Sequence, residues 1–418
     1  VVIDVREEIR VPEIRFEGFK EPWKLFKLRN IGEFKSNGVN KKISHDEEPV
    51  YLLNYMDVYN RIELNSQNYQ KLMKVTAKPT QLINNNILCG DVLITPSSET
   101  ADDIGRVMAI EEDIPNTVYS YHLVRYRPKQ GVFYNVYPNY GFSSKSVRKQ
   151  LVLSAQGVQR FVIGKSAFEE LGIYLPVFKE QQKIGNFFKN IDSLITNSQK
   201  KYKKLQNIKK ALLEKMFPKD GECVPEIRFK GFKDDWVKRE IREISSSFSG
   251  GTPNVSVSEN YGGSIPFIRS GEINSESTKL FITDKGIDNS SAKIVNSGDI
   301  LYAMYGATSG EVAVSKISGA INQAILAIQV KEEIDAYALV QLLKREKGNI
   351  ISTYLQGGQG NLSGDIIKKI KVVLSVYENE QKKIGQFFQN IDNIITFHKK
   401  KCDSLINLKK ALLEKMFV

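Results

Sequence analysis

Few residues in this chain stand at the spacings that covalent chemistry requires. Methyl transfer to an exocyclic amine calls for an Asn/Asp-Pro-Pro-aromatic loop to hold the flipped base, yet none of the 13 prolines neighbours another. Gly250-Gly251 and Gly262-Gly263 are glycine pairs outside the strand, Gly-x-Gly, helix setting that a dinucleotide needs. Gly164-Lys165-Ser166 has the form of the end of a phosphate-binding loop. That loop needs a glycine five positions before its second glycine, and Gln159 stands there. Glu33-Phe34-Lys35 has the Glu-x-Lys spacing of many nucleases, without an acidic partner on a preceding strand. The three histidines, His45, His122 and His398, are scattered. His398 and Cys402 could share a helix face and a metal, but both fall on an apolar seam, which is the plainer reading. No nucleophile stands beside a base. These absences point to a chain that binds rather than catalyses and holds no metal.

The elements that would position a binding surface are read from an internal repeat, which should be sought before other patterns. Val11-Pro12-Glu13-Ile14-Arg15-Phe16-Glu17-Gly18-Phe19 recurs as Val224-Pro225-Glu226-Ile227-Arg228-Phe229-Lys230-Gly231-Phe232. Each copy is followed four residues later by one of the two tryptophans, Trp23 and Trp236. Residues 180–217 and 380–417 agree at 25 of 38 positions without a gap. Between these shared pieces the halves differ, apart from one echo, Gly90-Asp91-Val92-Leu93 against Gly298-Asp299-Ile300-Leu301.

The shared segments have the pattern of long helices. Apolar residues alternate at steps of four and three: Ile184, Phe188, Ile191, Ile195, Tyr202, Leu205, Leu212 and Met216 in the first. The second carries Ile384, Phe388, Ile391, Ile395, Cys402, Leu405, Leu412 and Met416. Ser198 and Lys209 interrupt the first seam, and His398 and Lys409 the second. A period of 3.5 over about five heptads predicts a coiled coil, and the repeat symmetry favours antiparallel pairing. Pro218 and Gly221 end the first helix.

Short β-rich runs, such as Val50-Tyr51-Leu52-Leu53, Asp91-Val92-Leu93-Ile94, Ile265-Pro266-Phe267-Ile268 and Asp299-Ile300-Leu301-Tyr302, lie between Gly/Asn/Ser clusters. Residues 334–347 have a helical pattern. The expected fold is therefore α+β: two similar globules of mixed helix and strand, separated by an antiparallel coiled coil of two long helices. The boundaries follow as a tail over 1–10, a first globule over 11–178 and a first helix over 179–217. A linker over 218–223, a second globule over 224–377 and a second helix over 378–418 complete the chain. The chain opens Val1-Val2 with no methionine, so the tail is set aside as cut short or foreign.

The net charge is +12 and the pI about 9.2, which favours an anionic partner such as nucleic acid. Residues 179–215 hold ten lysines against three acids, and 378–415 eight against five, so the helices carry most of the excess. Those lysines either run beside phosphates or an acidic partner, or keep a coiled coil soluble. Cys89, Cys223 and Cys402 have no paired spacing, which suggests a reducing compartment. No apolar run spans a membrane and no signal-peptide pattern is present, so a cytoplasmic location is expected.

Several segments together resemble the specificity subunits of type I restriction–modification systems. They include Gly251-Thr252-Pro253, Ile265-Pro266-Phe267-Ile268 and Ser297-Gly298-Asp299-Ile300-Leu301 running into Tyr305-Gly306-Ala307-Thr308-Ser309-Gly310. Ile321-Asn322-Gln323-Ala324, Gln356-Gly357-Gly358-Gln359-Gly360-Asn361-Leu362 and the Glu-Gln-x-Lys-Ile-Gly helix starts also fit. The first globule departs from this pattern. It has Asp91-Val92-Leu93-Ile94-Thr95-Pro96-Ser97 in place of the Tyr-Gly-Ala-Thr turn, and Gln156-Gly157-Val158-Gln159-Arg160 in place of the Gln-Gly stretch.

The resemblance implies that each globule is a target-recognition domain reading half of a split double-stranded DNA site. The helices would be a spacer and a docking surface for two methyltransferase subunits, with restriction (translocase) subunits joining through those. S-adenosylmethionine, ATP and Mg would belong to the partners, with no cofactor in this chain. Polar and basic loop clusters supply candidate DNA contacts: Lys41, Lys42, Lys145, Arg148, Lys149 and Arg160 in the first globule, and Arg269, Tyr305, Gln359 and Asn361 in the second. Two alternatives stand beside this reading, a subunit serving a methyltransferase-only complex and a coiled-coil scaffold whose globules bind protein.

Overall fold

A computed structural model describes residues 10–354 and 361–418. The chain divides into two compact units, residues 1–198 with 401–418, and residues 199–400. Each unit holds one globule, the start of one long helix and the end of the other.

One four-stranded antiparallel sheet has the same strand order in both globules although their sequences differ. In the first, an antiparallel sheet runs in the order Gly32–Lys35, Val124–Pro128, Val92–Ile94, Val107–Ala109. In the second the order is Ser245–Ser249, Ile325–Val330, Ile300–Ala303, Val312–Val314. A second sheet has three strands in the first globule and four in the second, where Lys293–Val295 also pairs with Gly319–Ile321. In the first globule Glu48–Leu53 pairs antiparallel with Met73–Ala77 and parallel with Thr117–Tyr119. In the second, Tyr261–Ile268 pairs antiparallel with Phe281–Ile282 and parallel with Gly319–Ile321.

The continuous apolar runs of the central strands follow from burial on both faces. Ile300 and Tyr302 enter one core together with Ile384 and Phe388 of the second long helix. Leu301 and Ala303, pointing the other way as strand periodicity requires, enter another core with Ile268 and Ile321 of the second sheet. The first globule repeats this. Val92 and Ile94 pack with Ile184 and Phe188, while Leu93 packs with Leu53 and Tyr119.

The echo between the halves is a turn that opens the central strand. Gly90 and Gly298 have φ of 88° and 103°, a region that glycine enters freely. Asp91 Oδ2 accepts from Leu88 N at 2.8 Å, and Asp299 Oδ2 from Asn296 N at 2.9 Å.

The long helices span Phe178–Met216 and Glu378–Lys415, so both expected helices form. Within each unit they pair antiparallel. In the first unit Phe188 lies 5.9 Å from Phe417 and Asp192 bonds Lys409. In the second, Phe388 lies 6.0 Å from Phe217 and Asp392 bonds Lys209. The seam does more than pair helices, because its residues nearest each globule also belong to that globule's core. Ile184, Phe188, Ile191, Ile195, Cys402, Met416, Met216, Ile384 and Phe388 are buried. Tyr202, Leu205, Leu212, Ile391, Ile395, Leu405 and Leu412 are half-buried.

The shared segments encode a clamp at the base of each globule. Arg15 donates two bonds, at 2.7 and 2.8 Å, to the fully buried Glu180. Arg228 does the same to Glu380 at 2.7 and 2.9 Å. Ile14 N donates to Lys415 O at 2.9 Å and Ile227 N to Lys215 O at 2.8 Å, which satisfies one of the carbonyls that a helix end leaves open. Trp23 meets Phe417 edge-on, and Trp236 meets Phe217 likewise.

Candidate nucleic-acid interface

In both globules the strand of the second sheet that lies parallel to its neighbour ends in a short loop, which leads into a central strand. Two other places in the chain bond to it in each globule. In the first globule Val39 N donates to Tyr119 O at 2.8 Å, Tyr121 N to Val39 O at 3.1 Å, and Ser120 N to Leu53 O at 3.0 Å. In the second, Gly251 N donates to Ile321 O at 3.2 Å and Asn322 N to Ile268 O at 3.4 Å. The approach is close enough to exclude side chains. A Cβ on Gly38 would lie 2.3 Å from Tyr119 O, and one on Gly250 1.9 Å from Ile321 O.

Ile163 N donates to Pro96 O, and Leu362 N to Met304 O, both at 2.9 Å. The loop after the central strand is thus tied in each globule to a residue that ends or follows the Gln-Gly stretch, of which residues 355–360 lie outside the described residues. In the first globule Arg160 Nη2 donates to Ser97 Oγ at 3.1 Å and Tyr55 Oη to Ser97 O at 2.6 Å.

This geometry sorts the sequence candidates. Lys41 and Arg160 come to the loop cluster of the first globule. Arg269, Tyr305 and Asn361 stand on the equivalent loops of the second, each exposed. Arg269 is also paired with Glu272, at 3.1 Å. Gln359 lies outside the described residues.

The other candidates have structural partners or lie on other elements. Lys42 Nζ pairs with Glu47 at 3.2 Å, beside the second sheet. Arg148 donates to the carbonyls of Asp102 and Ile104, and its half-buried guanidinium has its pKa lowered by that burial and then by Arg106. Lys145 and Lys149 are exposed on the helix Lys145–Ser154, where Ser146 bonds the carbonyl of Val418.

Sequence reasoning missed Tyr121 and His122. Tyr121 is 47 % exposed, and its ring centroid lies 3.8 Å from that of His122. Partial burial of His122, then Lys41 and Arg160 beside it, hold its imidazole below the usual pKa. The signal that could have found this pair was alignment of Ser120-Tyr121-His122-Leu123 with Asn322-Gln323-Ala324-Ile325, each just ahead of a central strand. Nearby, Tyr55 stacks on Tyr59 with centroids 6.0 Å apart, and the Arg106 guanidinium lies 5.8 Å from the Tyr59 ring centre. Basic side chains beside the exposed Tyr121 and the half-buried Tyr55 and Tyr59 suit a phosphate backbone and the bases it carries. Among the described residues no cluster of His, Cys, Asp or Glu could hold a metal. No described helix is long and apolar enough to cross a membrane.

Two globules that share a four-stranded sheet order, each with such a loop cluster and each packed on the long helices, define a repeated recognition module. A family model described as "Type I restriction modification DNA specificity domain" matches residues 20–207 and 233–406. The chain belongs to that family and carries its domain twice; it recognises DNA and is not itself the catalyst.

It is 24 % identical over 408 residues to a putative type I restriction enzyme MjaX specificity subunit of Methanocaldococcus jannaschii, covering 94 % of this chain and 92 % of the relative. It is 23 % identical over 430 residues to the MjaVIII specificity subunit of the same organism, covering 99 % and 96 %. In fold it is similar to a type I restriction–modification S subunit from M. genitalium, with a TM-score of 0.66 at 15 % identity, covering 98 % of this chain and 99 % of that one. A chain from a structure of type I system assembly and conformational transition matches at a TM-score of 0.51 and 15 % identity, over 96 % and 98 % of the two chains. Membership of this family does not favour the scaffold reading, in which the globules would bind protein.

Proposed function

We propose that this chain reads a double-stranded DNA target split into two half-sites, one per globule, and docks two methyltransferase subunits, with restriction subunits joining through them. The recognition modules are residues 11–178 and 224–377, and the long helices are spacer and docking surface. S-adenosylmethionine, ATP and Mg act on the partners, in the cytoplasm.

The observation that carries this reading is the loop cluster built twice on one scaffold with different side chains. Lys41, Tyr121, His122 and Arg160 stand in the first, and Arg269, Asn322, Gln323 and Tyr305 in the second. Constant backbone with variable side chains is what two readers of different sequences need, since phosphate contacts position while base contacts specify.

Salt-dependent binding of the full chain, assembled with its methyltransferase subunits, to duplex DNA tests it. The logarithm of affinity should fall linearly with the logarithm of salt concentration, with a slope of about −0.9 per phosphate contacted. One split sequence should be retained more tightly than unrelated duplex. A salt-insensitive or sequence-blind complex would overturn the proposal.

A further inference from the structure

We infer that Tyr121 and His122 are specificity-determining residues of the first globule, reading base edges of one half-site while Lys41 and Arg160 hold the phosphates beside them. The inference rests on the proposed function and assigns roles within that site. Three observations carry it.

The loop that bears the pair is held from two sides. Ser120 N bonds Leu53 O, Tyr121 N bonds Val39 O, and Leu123 N bonds Ser120 O at 2.9 Å. Side chains on a backbone fixed in this way are presented in set directions, as a reading position requires.

The second globule keeps the scaffold of this loop and changes its side chains. Asn322 N bonds Ile268 O and Ile325 N bonds Asn322 O at 3.2 Å, but Gln323 and Ala324 replace the aromatic pair. Asn322 Oδ1 is buried without a partner among the described residues. The position therefore varies between two readers that share the backbone bonds at the start and end of this loop.

The chemistry of the pair differs from that of its neighbours. Burial and the two adjacent cations favour the neutral imidazole at pH 7, which offers one N–H donor and one nitrogen acceptor. That complement suits a base edge in the major groove, where donors and acceptors are distinct for each base pair. Lys41 and Arg160, as cations, suit phosphates. Tyr121, against the imidazole face at 3.8 Å, restricts the ring and offers its own exposed face to a base or sugar.

The two roles separate in one experiment. The full chain, assembled with its methyltransferase subunits, is tested against a library of duplexes randomised through both half-sites, and its affinity for the selected duplex is followed against salt. His122→Ala and His122→Gln are expected to change base preference at one base pair of one half-site by roughly 5- to 150-fold. The other half-site and the salt slope should be unchanged. Tyr121→Ala should relax the same position. Lys41→Ala and Arg160→Ala should each lower the salt slope by about 1 and leave the preference intact. If the His122 variants lose affinity uniformly over all sequences, or lose salt slope, the residue is a phosphate contact and the inference is overturned. If the unaltered assembly selects no sequence at all, the proposed function itself falls.

Discussion

His122 is partly buried, and that burial, with Lys41 and Arg160 acting on the ring, governs its protonation. With its pKa held down by burial first and by Lys41 and Arg160 second, it should titrate below the 6.5 of an unperturbed imidazole. Removing a neighbouring positive charge lowers the cost of the imidazolium, so Lys41→Ala should raise the midpoint, as followed by NMR of the ring protons in the free protein. An unchanged midpoint would place Lys41 away from the ring. The folded state disfavours the charged form, so any stability linked to His122 is present at neutral pH. It is lost as pH falls from the unfolded value through the lower folded one.

At this scale the sequence was partly legible. Composition picked out Lys41 and Arg160, which act on His122 in the first globule, and Arg269, Tyr305 and Asn361, which are exposed on loops of the second. It could not separate Arg148 from them, because the carbonyls of Asp102 and Ile104 that hold its guanidinium are more than 40 residues away. Nor could it find Tyr121 and His122, whose neighbours Lys41 and Arg160 come from distant loops on either side in sequence.

Among the elements, the long helices were legible because their signal is local, a four-three alternation readable from any stretch of the segment. Strand order was not, because pairs such as Gly32–Lys35 with Val124–Pro128 join segments about 90 residues apart. Two of the seam's interruptions, Lys209 and Lys409, acquire a reason in the structure. Lys209 Nζ donates to both oxygens of Asp392 at 2.6 and 2.8 Å, and Tyr337 Oη donates to the same carboxylate at 2.7 Å. Lys409, Asp192 and Tyr140 repeat the trio. Burial first, and the carboxylate with it, pushes both phenols above their usual range.

A double-mutant cycle on Lys209 and Asp392 should therefore show a coupling of about 1–3 kcal/mol in chemical denaturation. Independent, additive effects would reduce Lys209 to a solvated seam lysine. Phe388, fully buried between helix and globule, should cost about 3–5 kcal/mol on truncation to Ala. Leu205, half-buried, should cost less, and the exposed Lys201 within about 0.5 kcal/mol of nothing. The clamp is sensitive for a different reason. Arg15→Ala leaves the carboxylate of Glu180 buried without its guanidinium, a loss of about 3–5 kcal/mol. A lysine there cannot restore the two-pronged bond.

Across the whole molecule the repeat has a division of labour. What the halves share, the clamp, the helix seam and the Gly-Asp turn, holds each globule on the helices. What differs runs through both globules and includes the side chains on loops that recurring backbone bonds hold in place, Ser120 N to Leu53 O and Asn322 N to Ile268 O among them. Recognition should then be modular, with each globule reading its half of the target without reference to the other.

The most direct measurement maps methylated positions in cells carrying this chain with its methyltransferase subunits, before and after residues 11–178 are replaced by another first globule. The account predicts a split target in which one half changes and the other half is kept. A swap that leaves the protein folded and active but alters both halves together, or neither, would contradict it.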